Sequence, residues 1–185
     1  NLAFSRAQTL EPAHFRYKFG MHFEQTQFLD TNEANSELKM WAPPDPDGVY
    51  VIGADPAYGS SEWADQFAIQ VLRCFSDRVV QVAQYATTDI NEAQFAWIMA
   101  HLAGSYSSPN IPCFVCLEMQ GPGGAVFNEL KNLKQYAGPR TASNSDIYNV
   151  VARQRDYLWR KPGSMFGGLS YNWESNSKEK IRMMS

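Results

Sequence analysis

The chain has 185 residues, 44% of them hydrophobic and 19% charged, and a formal net charge of −3. That balance belongs to a globular domain with a core of its own and excludes a disordered segment. No apolar run approaches the roughly eighteen residues a membrane helix needs, and no basic-then-apolar segment opens the chain as a secretory signal would. The first residue is Asn1 rather than methionine, which reads as a piece of something longer.

In chain order, residues 1–48 are polar and broken and close on "APPDPDG" (42–48), a turn-rich stretch that reads as a linker or domain entry. "VYVIGA" (49–54) is a short buried strand that stops on Asp55. "DQFAIQVLRCF" (65–75) and "RVVQVAQYA" (78–86) alternate apolar and polar residues around the turn "SD", a hairpin; pairing of 49–54 with 66–74 would give three consecutive antiparallel strands. The period then changes. Thr88 or Asp89 offers an N-cap, Glu92 lies in the first turn, and Phe95, Ile98, Met99 and Leu102 make the stripe of a helix of about four turns. "SSPN" ends it, "IPCFVCLE" (111–118) is a fourth strand stopping on Glu118, and "GPGGAVFNELKNL" (121–133) runs from glycines into a second helix. This order of strands and helices is a mixed α/β pattern. After residue 138 the pattern is looser: a loop at 138–146, a strand or helix at 147–160, turns to 173, and a last helix capped by Ser175 or Ser177.

Cys74, Cys113 and Cys116 are an odd set in apolar settings, which fits reduced packed thiols. Cys113 and Cys116 stand three apart on a strand and so face opposite ways; with no second pair or nearby histidine they do not make a zinc site. His14, His22 and His101 are scattered, and packed or solvated roles fit them better than metal ligation. Charge is divided unevenly. Residues 1–128 hold six Lys/Arg against fourteen Asp/Glu, a charge of −8, and residues 129–185 hold ten against five, a charge of +5. The basic back half is the expected polyanion surface, where Arg140, Arg153, Arg155, Arg160 and Lys161 could follow a DNA backbone.

Asp55 and Glu118 share one description: each ends a buried strand at the edge of the sheet where ligands gather in open α/β folds. On neighbouring strands, two carboxylates repel, and a divalent cation with a taste for hard oxygen ligands, Mg²⁺ or Mn²⁺, removes the repulsion. A pair of such ions about 4 Å apart can activate water against a phosphodiester. The plainer alternative is two exposed strand ends capped by solvent.

"IGADPAYGSSEWADQFAIQV" (52–71), then "FVCLEMQGPGGAVFNEL" (114–130) and "GGLSYNWESNSKEKI" (167–181), together resemble the nuclease domain of the large terminase subunit of tailed bacteriophages over roughly residues 49–185. The resemblance implies an RNase H-like mixed α/β sheet with flanking helices, and a metal-dependent endonuclease that cuts concatemeric double-stranded DNA in the host cytoplasm with two Mg²⁺ or Mn²⁺ ions. It implies that Asp55 and Glu118 are catalytic metal ligands, that Asp65 is an additional acid, and that Lys178 stands at a late helix where a phosphate contact is conceivable. Residues 1–48 would then link to an ATPase domain, and the whole protein would meet a portal and a small terminase subunit, with no membrane partner.

The chain departs from that pattern in two ways. No match to the family's third metal-binding aspartate occurs before Ser185, so the nuclease domain is expected to be truncated there, to bind metal weakly and to cleave slowly or not at all; Asp146 and Asp156 fit surface acids better than substitutes. No phosphate-binding loop G-x-x-x-x-G-K-[ST] occurs either. "GPGGAV" lacks its lysine, and its expected role is to let the backbone pass close to Glu118 and start a helix. Two other readings stand beside this one: an RNase H-like nuclease of the resolvase or transposase type, and a fragment that binds DNA or a portal without cutting.

Overall fold

Strict alternation from Phe67 onward commits the middle of the chain to a half-buried sheet, and the rest assembles on it. The computed structural model describes residues 11–20, 27–58, 65–108 and 110–136. Among them the strands are β1 (Ala13–Lys18), β2 (Gln27–Asp30), β3 (Leu38–Met40), β4 (Val49–Asp55), β5 (Phe67–Cys74), β6 (Val79–Thr87) and β7 (Phe114–Leu117), and the helices are α1 (Glu92–Ser105) and α2 (Gly123–Tyr136). All seven of these strands join one sheet in the order β2-β1-β3-β6-β5-β4-β7. β4, β5 and β6 pair antiparallel, and the chain then crosses through α1 to lay β7 parallel to β4. This is a mixed α/β sheet with flanking helices, as expected from the sequence.

Period two decides the faces. Tyr50, Ile52 and Ala54 of β4, Phe67, Ile69 and Val71 of β5, Ala83 and Tyr85 of β6, and Val115 and Leu117 of β7 are buried on one side. Both helices cover that side. Phe95 of α1 meets Phe67 with ring centroids 5.1 Å apart, and Tyr106 just past α1 meets Tyr50 edge-on at 4.9 Å. α2 buries Val126, Leu130 and Leu133, and the Trp97 indole donates to Glu129 Oε1 across the two helices. The expected stripe Phe95, Ile98, Met99 and Leu102 is buried in full. The cap differs from the expectation of Thr88 or Asp89: Asn91 accepts the Gln94 N–H, and the Gln94 side chain accepts the Asn91 N–H in return, a complete capping box. Cys113 is buried, and Cys74 and Cys116 are half-buried; all are free thiols. Burial pushes the Cys113 thiol up to about 12.

The described part of the stretch read as a linker carries structure of its own. β1, β2 and β3 extend the sheet beyond β6, with Leu38 opposite Tyr85 and Phe15 opposite Leu38. The proline-rich turn is pinned as well. The Ala42 carbonyl accepts from the Tyr106 hydroxyl, the Asp45 carboxylate pairs with Arg73, and the Asp45 N–H donates to the Tyr50 hydroxyl. β1 is held from below by α1: the Tyr17 hydroxyl and His101 Nδ1 are hydrogen-bonded at 2.7 Å inside a cluster with Phe19 and Phe28. Tyr17→Phe removes that bond and little else, so a loss of about 1–2 kcal/mol is expected. In a thermal melt this is a fall of roughly 2–8 °C for a chain of this size; an unchanged melt would show that β1 is held by apolar packing alone.

Candidate metal centre

Two loops at one end of the sheet decide where the acids stand. β4 ends on Asp55, which lies opposite Ala68 of β5. On its other side Ala54 is level with Leu117, and the Glu118 N–H donates to the Ala54 carbonyl at 2.9 Å, carrying the parallel ladder one residue past β7. Asp55 and Glu118 therefore occupy one rung of neighbouring strands, about 5 Å apart along the hydrogen-bonding direction. Ala54 and Leu117 are buried toward the helices, so alternation turns both acids to the opposite face. There Asp55 is exposed and Glu118 half-buried.

The supporting loops interlock. After Asp55 the chain buries Pro56 and Ala57. After Glu118 it turns back through Gly121, whose φ of +65° lies in the left-handed region that a Cβ disfavours. Gly123, first residue of α2, has no room for a Cβ: one built there would overlap the Glu118 carbonyl oxygen and stand 3.8 Å from Pro56 Cγ. The backbone of α2 thus passes directly under Glu118, as the glycine run suggested. Tyr58, 68% exposed, lies against Gly121 and closes the gap between the loops.

Cys116 shares the face of Glu118 one pleat back. Its thiol is pushed up first by burial and then by the negative charge of Glu118. The two carboxylates offer hard oxygens that suit Mg²⁺ or Mn²⁺. No group of three or more His, Cys, Asp or Glu able to hold a metal occurs among the described residues. Asp65 is exposed at the same end of the sheet, three positions before Ala68, the residue facing Asp55. Arg140, Arg153, Arg155, Arg160, Lys161, Lys178, Asp146 and Asp156 lie outside the described residues. Sequence reading did not single out the cations of β1 and β3, which the register brings onto the carboxylate face.

No family model matches the chain, and none of the curated proteins matches it. Among solved structures it is similar to the large terminase nuclease from thermophilic phage G20c with bound zinc, at 18% identity and a TM-score of 0.42, over 63% of this chain and 65% of that one. The chain thus spans less than two thirds of that nuclease.

Proposed function

We propose that this chain is the nuclease part of a phage DNA-packaging terminase, hydrolysing phosphodiesters of double-stranded DNA with divalent metal. One observation carries the reading: the parallel pairing of β4 with β7 places Asp55 and Glu118 on one rung, at one sheet end, on the face away from the helices. Two anions set side by side repel, and a divalent cation bound by both would remove that repulsion. The resemblance of the motifs around both acids to the terminase nucleases supports the same assignment. Asp55 and Glu118 would hold Mg²⁺ or Mn²⁺, with Asp65 as a further acid at the same sheet end. A divalent ion bound there supplies charge to stabilise the phosphate's developing negative charge and lowers the pKa of a bound water. The chain's own part is to fix the two carboxylates through the ladder and the Gly123 contact, and to leave the phosphate an open approach over Gly53, where no atom lies within 4 Å of a built Cβ. Arg140, Arg153, Arg155, Lys161 and Lys178 are the proposed DNA contacts from the basic half.

The test is cleavage of supercoiled plasmid across a titration of Mn²⁺ and Mg²⁺, with EDTA as the control. Any nicked and linear products are expected to require the metal and to form slowly. Plasmid that is bound yet intact at every metal concentration, both by this chain and by a form extended beyond Ser185, would replace the nuclease reading with that of a DNA-binding fragment.

A further inference from the structure

The register that aligns the acids continues across the sheet. From Glu118 and Asp55 the rung runs through Ala68 and Ala86 to Glu37, whose carbonyl accepts the Ala86 N–H, and on to Arg16 of β1. One pleat back, Gly53, Gln70, Gln84, Lys39 and His14 form a second rung. Lys18 stands one pleat beyond Arg16, at the carboxylate end. Alternation puts Arg16, Lys18 and Lys39 on the carboxylate face, because Tyr17 and Leu38 between them are buried toward α1. Arg16 and Lys18 are exposed. Among the described residues neither lies within ion-pair distance of a carboxylate, while Lys39 is 4.0 Å from Glu33. A recess of about 440 Å³ opens beside the two cations and is also lined by Leu29, Asp30 and Thr31.

Between the anions and the cations the floor is low. Ala68 and Ala86 on the Asp55 rung present little side chain, Gln70 and Gln84 stand on the rung behind, and the Glu37 carboxylate beside Arg16 keeps its charge while accepting the Tyr17 N–H at 3.0 Å. Four strand spacings separate Asp55 from Arg16, about 19 Å. A duplex covers that length in roughly six base pairs at 3.4 Å each.

We infer that Arg16 and Lys18, supported by Lys39, form a phosphate-contact surface that holds duplex DNA across the alanine floor while the scissile phosphate lies at Asp55 and Glu118. The inference rests on the nuclease reading and gives the substrate an orientation along the rungs of the sheet. It also assigns a binding role inside the half of the chain whose charge is −8, where the overall balance pointed away from DNA. Local geometry outweighs that balance, because counterion release depends on the cations that touch phosphate.

The experiment is binding of a labelled 20-base-pair duplex, and of a single strand of equal length, followed by fluorescence anisotropy in EDTA across a salt series. The Arg16→Gln, Lys18→Gln double variant, at exposed positions, is expected to bind the duplex about tenfold more weakly, with the slope of log affinity against log salt shallower by roughly 2. Arg78→Gln, in the β5–β6 turn at the other end of the sheet, is expected to bind as the parent does. Unchanged affinity and slope in the double variant overturn the inference, as does a loss confined to the single strand. Loss of duplex binding in a protein that fails the plasmid cleavage test keeps the surface and removes only the nuclease reading. Cleavage retained beside an unchanged slope removes the surface alone.

Discussion

Asp55→Asn is expected to abolish metal-dependent plasmid cleavage while leaving the fold in place. Asparagine keeps the size of the side chain and an acceptor oxygen but not the charge that a divalent ion needs. Metal stabilisation of the transferring phosphate amounts to several kcal/mol, and a loss of about 4 kcal/mol is a thousandfold in rate. Because Asp55 is exposed at a strand end, the melting temperature without metal should stay within roughly 2 °C of the parent, the range of ordinary surface substitutions. Mn²⁺ should raise the melting temperature of the parent and not of the variant, since only the parent binds it in the folded state. Cleavage at the parental rate in Mn²⁺ would remove Asp55 from the site, whatever the melts show.

Adjacent glycines should respond with opposite signs. At Gly123 an added Cβ overlaps the Glu118 carbonyl oxygen and stands 2.9 Å from its carbon; both atoms are backbone and cannot swing aside. Gly123→Ala is therefore expected to lose about 1–3 kcal/mol and to displace Glu118, and a displacement near 1 Å costs roughly a hundredfold in rate. At Gly124, one residue further into the same helix, a Cβ meets nothing within 4 Å. There the only change is the better helix propensity of alanine, a gain of about 0.5–1 kcal/mol. Denaturant melts of the two variants, with cleavage rates beside them, separate the effects. A neutral Gly123→Ala would mean that α2 does not press on Glu118.

What was legible in the sequence was whatever a short window carries. Phe67 to Cys74 alternates, Phe95 to Leu102 repeats at helical spacing, and the two apolar runs each stop on an acid; from these the central strands, α1 and the pairing of Asp55 with Glu118 could be reasoned. β1 to β3 could not. β3 has three residues and β2 four, too few for a period to show, and their partners lie far along the chain, as Leu38 does from Tyr85. The alternation of His14, Phe15, Arg16, Tyr17 and Lys18 was present but sat among polar residues that read as linker, and with it the cations of the open face were passed over. The cap was missed for a different reason. Asp89 to Glu92 and Asn91 to Gln94 both fit the capping template, and only the backbone geometry at Asn91 chooses between them.

β7 is a four-residue strand at the margin of the sheet, bonded among the described residues to β4 alone. Short marginal strands open locally at a fraction of the free energy that unfolds the whole domain. Asp55 rides on β4, flanked by strands on both sides, while Glu118 rides on β7, paired among the described residues on one side alone. A local opening of β7 would part the two acids while the rest of the sheet stays folded. A cation held by both acids binds only the docked form, so its apparent affinity is scaled by the fraction of molecules in which β7 is seated, and its binding in turn holds that strand down.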